Sequence, residues 1–313
     1  MKHASIFFCW LMLLEIPLSA GMSVVLQMIS PDYSVLVSVL VTQGYFLILA
    51  SVYMFVKRIN VKTGLGFCGY KVSSFFLSLL VLLCATPMAT WFNLFSQLFA
   101  KNEIGNSIYE LTQVLPVGVA VLVIGCLPGF VEELLYRGIV YRAFRTRSVL
   151  TGVIVSALTF GLMHMNFNQM LYAIYLGVLF AFIVEATGSL YSSMILHMLF
   201  NACNTAYLYV LPKLYDFLAT YDTQYANIDI QEMMNKTPEK KEIISGLLMS
   251  APMAFIGVFV SFLLIRQIAK MNGREFTWRY ICGDKDKVRM VSPLNVPLVV
   301  GCVFCIAIAV ASL

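Results

Sequence analysis

The stretch Glu132-Glu133-Leu134-Leu135-Tyr136-Arg137 follows directly on the apolar run Val114 to Val131. Two adjacent carboxylates at the edge of a membrane-length segment are costly. In hydrocarbon a charged side chain costs roughly 2.5–3.5 kcal/mol on insertion scales, so such groups normally face a bundle interior and have partners. Written on a helix, Glu133 and Arg137 stand at i and i+4 with the acid first, the better order for an ion pair. Glu132 then lies on a different face without a local counter-charge, which makes it a candidate general base.

The rest of the composition agrees with a membrane setting. Of the 313 residues, 60% are hydrophobic and 12% charged, and mean hydropathy is +0.84. Soluble proteins carry about 25% charged residues, so an all-α, polytopic membrane protein is expected. The net charge of +5 gives no nucleic-acid signal, because the basic residues sit in short loops between apolar runs. Eight scattered cysteines imply no disulfide framework. Cys302-x-x-Cys305 lies in an apolar run with neither a second pair nor a nearby histidine, so it reads as core packing.

Apolar runs predict nine spans, at about residues 5–29, 34–56, 73–97, 111–131, 149–165, 170–186, 189–211, 244–265 and 291–312. The first resembles a secretory signal ending in Leu18-Ser19-Ala20, but Glu15 interrupts it and apolar residues run on to Met28, so it reads as an uncleaved helix. The fifth and sixth are short and rich in small or polar residues, as interior helices are. With the N-terminus inside, the inner segments hold 16 of the 21 basic residues, including Lys285, Lys287 and Arg289. The loop 212–243, with six acids and four bases, reads as a solvated connector and the basic loop 266–289 as an anchor at an anionic leaflet. No repeat or composition shift marks a second domain, so residues 1–313 read as one membrane domain. The absence of a long targeting extension, with the inside-positive pattern, suits a bacterial plasma membrane.

Only three histidines occur, and His164 and His197 both fall inside apolar runs. A single histidine there is as often a packing hydrogen-bond donor as a functional group. Their neighbours shift that balance. His164 closes Phe160-Gly161-Leu162-Met163-His164, where Gly161 permits close helix approach, and His197 and Asn201 stand one turn apart on a shared face. Such a set suffices for hydrolysis. Glu132 takes a proton from water, His164 orients that water, and His197 with Asn201 donates to the developing oxyanion. One carboxylate and two imidazoles are also a familiar zinc set, and residue type alone does not decide between the two. Other chemistries lack their signatures: H-E-x-x-H, G-x-S-x-G, G-x-G-D and the P-loop are all missing, so no ATP-driven role is expected. Glu185, at the end of the sixth run, is assigned a structural role.

Glu132-Glu133-x-x-x-Arg137, Phe160-x-x-x-His164 and His197-x-x-x-Asn201, in that order on successive segments, resemble the three motifs of the CPBP intramembrane proteases, the group that contains type II CAAX prenyl endopeptidases and bacterial bacteriocin-processing or immunity proteins. The resemblance spans about residues 111–211, a protease-like core. It implies an intramembrane endopeptidase in which Glu132 activates water with His164 as partner, His197 and Asn201 form the oxyanion site, and Glu133 and Arg137 support the motif helix. The family has been described both as metal-independent and as metallo-enzymes. The resemblance therefore implies either no cofactor or one divalent metal, zinc foremost, on Glu132, His164 and His197. It further implies a site opening toward the cytosol and, as partners, membrane lipid and a peptide or protein substrate, prenylated or leader-type. Two other classes stand as alternatives: a proton-coupled transporter using Glu132, His164 and His197 as a relay, and a non-catalytic immunity or scaffold protein.

Overall fold

The computed structural model describes residues 1–29, 34–225, 228–283, 292–311 and 313, and among these no strand occurs. Each apolar run becomes a helix because hydrocarbon offers no partner for backbone N–H and C=O groups, and a helix satisfies them internally. The long helices are α1 (Lys2–Ile29), α2 (Ser34–Val56), α4 (Val72–Ser96), α6 (Val117–Arg145), α8 (Phe167–Thr187), α9 (Leu190–Ala219) and α11 (Lys240–Met271), with the short α3 (Val61–Leu65) and α5 (Glu103–Val114) between them. The remaining helices are α7 (Val149–Leu162), α10 (Ile230–Asn235), α12 (Trp278–Cys282) and α13 (Val296–Ala311). Seven helices contain a stretch long and apolar enough to cross a membrane, while α7 and α13 are apolar but shorter. The chain is a polytopic helical bundle. Lys285, Lys287, Arg289 and the first and last residues of the ninth expected run lie outside the described residues.

Two segments depart from the sequence reading. The fourth span, expected at 111–131, is broken by Pro116, which caps α6 in extended geometry after α5 has ended at Val114. At its other end α6 does not stop at the two carboxylates. It continues to Arg145, because the charges are neutralised inside the bundle rather than in solvent. Within α6, Val121–Cys126 and Leu134–Tyr141 are wound as wide π-turns on either side of Glu132 and Glu133. Such turns are rare and gather at functional sites. The loop expected at 212–243 is also shorter, since α9 carries on through Pro212 to Ala219 and α10 occupies part of the remainder.

The pieces that position the site are α6, α7, α8 and α9. Helix α8 is the interior element, with 61% of its apolar window buried against 17% for α2. Helices α7 and α8 make a hairpin whose turn places Met165 at φ +47°, and the Asn166 side chain accepts from the Asn168 and Gln169 amides to start α8. At Gly161 a Cβ would press into Met170 O of α8, at 2.8 Å, so the expected close approach is present. Gly129 does the same between α6 and α9. A Cβ there would lie 2.7 Å from the Met198 backbone nitrogen, so only glycine lets α6 carry its two glutamates up to the residue beside His197.

Candidate active site

Glu133 and Arg137 form the expected pair, with Arg137 Nη1 donating to Glu133 Oε1 at 2.6 Å and both side chains fully buried. The guanidinium has a second kind of partner. Its carbon lies 4.4 Å over the centre of the Phe160 ring and 5.5 Å from that of Phe180. Aromatic faces carry negative charge density and stabilise a desolvated cation best where water is excluded. Two rings and one carboxylate therefore hold a fully buried arginine.

Glu133 also reaches across to α9, where His197 Nδ1 lies 3.0 Å from Glu133 Oε1. A carboxylate only accepts, so Nδ1 carries the proton and Nε2 is turned to the other acid. His197 Nε2 lies 3.7 Å from Glu132 Oε2, a separation that is close but outside hydrogen-bond range. Glu132 Oε1 in turn accepts from Gln43 Nε2 of α2 at 3.3 Å. The two adjacent acids thus occupy different environments: Glu133 Oε1 accepts from both an arginine and an imidazole, while Glu132 keeps one oxygen facing His197.

His164 follows the last turn of α7, and its Nδ1 lies 3.1 Å from the Phe160 carbonyl. That carbonyl fixes the proton on Nδ1 and leaves Nε2 as an acceptor. The Phe160 ring meets both imidazoles edge-on, with centroids 5.3 Å from His164 and 5.5 Å from His197. One side chain of the second motif therefore spaces both histidines and the arginine of the first motif.

These groups border one cavity of about 710 Å³, lined by Glu132, His164, His197 and Asn201 together with Glu15 of α1 and Gln43 of α2. Glu132, His164, His197 and Asn201, the four residues expected at the reacting centre, all line it, whereas Glu133 and Arg137 do not. Sequence reading missed Gln43 and Glu15 as members. The signal available was a lone amide and a lone acid in otherwise apolar spans. Glu185, read as structural, is indeed away from this cavity. It is buried at the far end of α6, where Arg145 holds it through Nε and Nη2, both at 2.6 Å, and Tyr280 donates to it at 2.6 Å.

The donor set does not fit a metal ion as folded. Among the described residues no three histidine, cysteine, aspartate or glutamate side chains converge closely enough to share an ion. The chemistry is therefore derived from the side chains alone.

No curated protein and no solved structure gave a match. A protein-family model does match, over a stretch that opens at the start of the fourth apolar run and closes just past Asn201. Residues 114–203, which contain all three motifs, match the Rce1-like family model of type II CAAX prenyl endopeptidases, in agreement with the resemblance carried by those motifs.

Proposed function

We propose that the chain is an intramembrane endopeptidase that hydrolyses a peptide bond of a membrane-associated substrate without a metal. The observation that carries this reading is the asymmetric pair of acids. Glu133 is tied to Arg137 and His197, whereas Glu132 has an oxygen facing the cavity 3.7 Å from His197 Nε2. A carboxylate in that position takes a proton from water held between it and His164, whose Nε2 accepts the second water hydrogen. The resulting hydroxide adds to the scissile carbonyl. Glu132 passes that proton to the facing His197 Nε2; Asn201 and the imidazolium so formed donate to the oxyanion, and Glu133 stabilises the charge on that ring as the buried acid of a catalytic triad does. That one proton then returns from His197 Nε2 by way of Glu132 to the leaving amine, which restores the carboxylate and the neutral ring. The protease core is residues 111–211, within a bacterial plasma-membrane protein of nine spans whose N-terminus and site face the cytosol.

The test is direct. The purified protein in lipid nanodiscs is incubated with a farnesylated C-terminal peptide and with an unprenylated leader-type peptide, and the products are read by mass spectrometry. The proposal expects a new internal C-terminus on at least one peptide. Intact peptides, with uptake of substrate or protons in proteoliposomes, would instead support the transporter reading; intact peptides without uptake would support a non-catalytic role.

A further inference from the structure

The protein has a second, chemically different cavity of about 220 Å³ that shares no lining residue with the first. It lies at the end of α6 remote from Glu132. Arg145 is 13 residues further along, roughly 15–20 Å at helical rise. Arg142, Arg145 and Arg274 line it with Glu185, Thr63 and Cys68. Three guanidinium groups face one carboxylate, so two positive charges have no acidic counterpart in the wall.

The arginines are built in rather than trailing in solvent. Arg145 and Arg274 are fixed by Glu185, which takes Arg145 Nε and Nη2 at 2.6 Å and Arg274 Nη2 at 3.4 Å, while Arg274 Nε donates to the Glu185 carbonyl. Arg142 lies flat against Gly66, and Arg274 against Gly188, both at positive φ; a Cβ on Gly66 would collide with the Arg142 guanidinium. Arg142 Nε is shielded from solvent and has no hydrogen-bond acceptor. A buried charged donor without an acceptor is costly. Arginine forks match the oxygens of a phosphate group, with charge-assisted bonds about twice as strong as neutral ones. The surrounding loops add Lys57, Arg58, Lys71 and Arg147 at the same end of the bundle, the arrangement that draws anionic groups to a membrane surface.

We infer that Arg142, Arg145 and Arg274 form a binding site for a phosphate group, separate from the proposed active site and independent of the proposed reaction. The group is supplied either by an anionic lipid headgroup or by soluble phosphate. The test uses the full chain in two arms: detergent-purified protein titrated with inorganic phosphate at constant ionic strength, and protein in nanodiscs of phosphatidylcholine with or without phosphatidylglycerol. Thermal unfolding is read in both. Arg142→Gln removes the guanidinium whose Nε lacks an acceptor, and Thr63→Glu places a carboxylate at an exposed position on the cavity wall, where folding is undisturbed. A stabilising shift with inorganic phosphate identifies a soluble ligand, and a shift with phosphatidylglycerol alone identifies a lipid. In either case half-saturation rises about tenfold in each variant, the loss of one strong contact. No shift in either arm, or a shift of equal size in either folded variant, overturns the inference. Should Arg142→Gln fail to fold, Thr63→Glu decides.

Discussion

His197 Nδ1 and Glu133 Oε1 lie 3.0 Å apart, although 64 residues separate them in the chain. This contact joins the first motif to the third, and it gives Glu133 a second task beside neutralising Arg137. The acid sets which nitrogen of His197 carries the proton and so presents Nε2 to Glu132. The proposed reaction depends on that tautomer.

Glu133→Gln tests the tautomer. An amide of the same shape keeps packing but can no longer hold the charge on the ring. Turnover of a cleaved peptide should fall by about 10²- to 10⁴-fold, by analogy with loss of the buried acid in other triads, with substrate KM little changed. Peptide kinetics on folded, size-excluded protein measure this. Unchanged kcat would remove Glu133 from the chemistry.

Arg137→Met tests the support. Removing one member of a buried pair strands the other and costs about 3–5 kcal/mol. Lower yield and an earlier thermal unfolding transition in nanodiscs are expected. The double variant Glu133→Gln with Arg137→Met should recover part of that stability without recovering activity.

Phe160 is the side chain against which Arg137, His164 and His197 all rest. Phe160→Leu keeps an apolar filler and loses the ring, so both histidines gain freedom. The prediction is a loss of activity larger than the loss of stability, whereas Phe160→Tyr retains most of both. Paired activity and unfolding measurements separate the two effects.

Chelation tests the reading of the ligand set. Because the described residues do not bring three metal donors together, prolonged dialysis against a chelator should leave turnover unchanged. Activity lost to the chelator and restored by zinc would return Glu132, His164 and His197 to the role of ligands.

Much of this was legible in the sequence where the information is local. The i, i+4 spacing of Glu133 and Arg137, the shared face of His197 and Asn201, and the close approach at Gly161 are all short-range, and each is present. The contacts that complete the site are long-range. Gln43 to Glu132 spans 89 residues and Glu133 to His197 spans 64, and hydrophobic periodicity says nothing about which helices will touch. The fourth helix was misjudged at both ends for physical reasons. Pro116 resets its start, and its charges are paired inside the bundle, so they do not mark its end. The π-turns that flank the two acids leave no periodic trace in a run of nearly uniform apolarity.

The central claim is that Glu132, and not its neighbour, activates the water. The most direct measurement is single-turnover cleavage by Glu132→Gln in nanodiscs, beside wild type, with unfolding recorded on the same samples. The amide retains size and the Gln43 contact but cannot accept a proton. The account predicts normal folding and cleavage lowered by about 10²- to 10⁴-fold, the range for loss of a general base; cleavage at the wild-type rate by folded Glu132→Gln protein would contradict it.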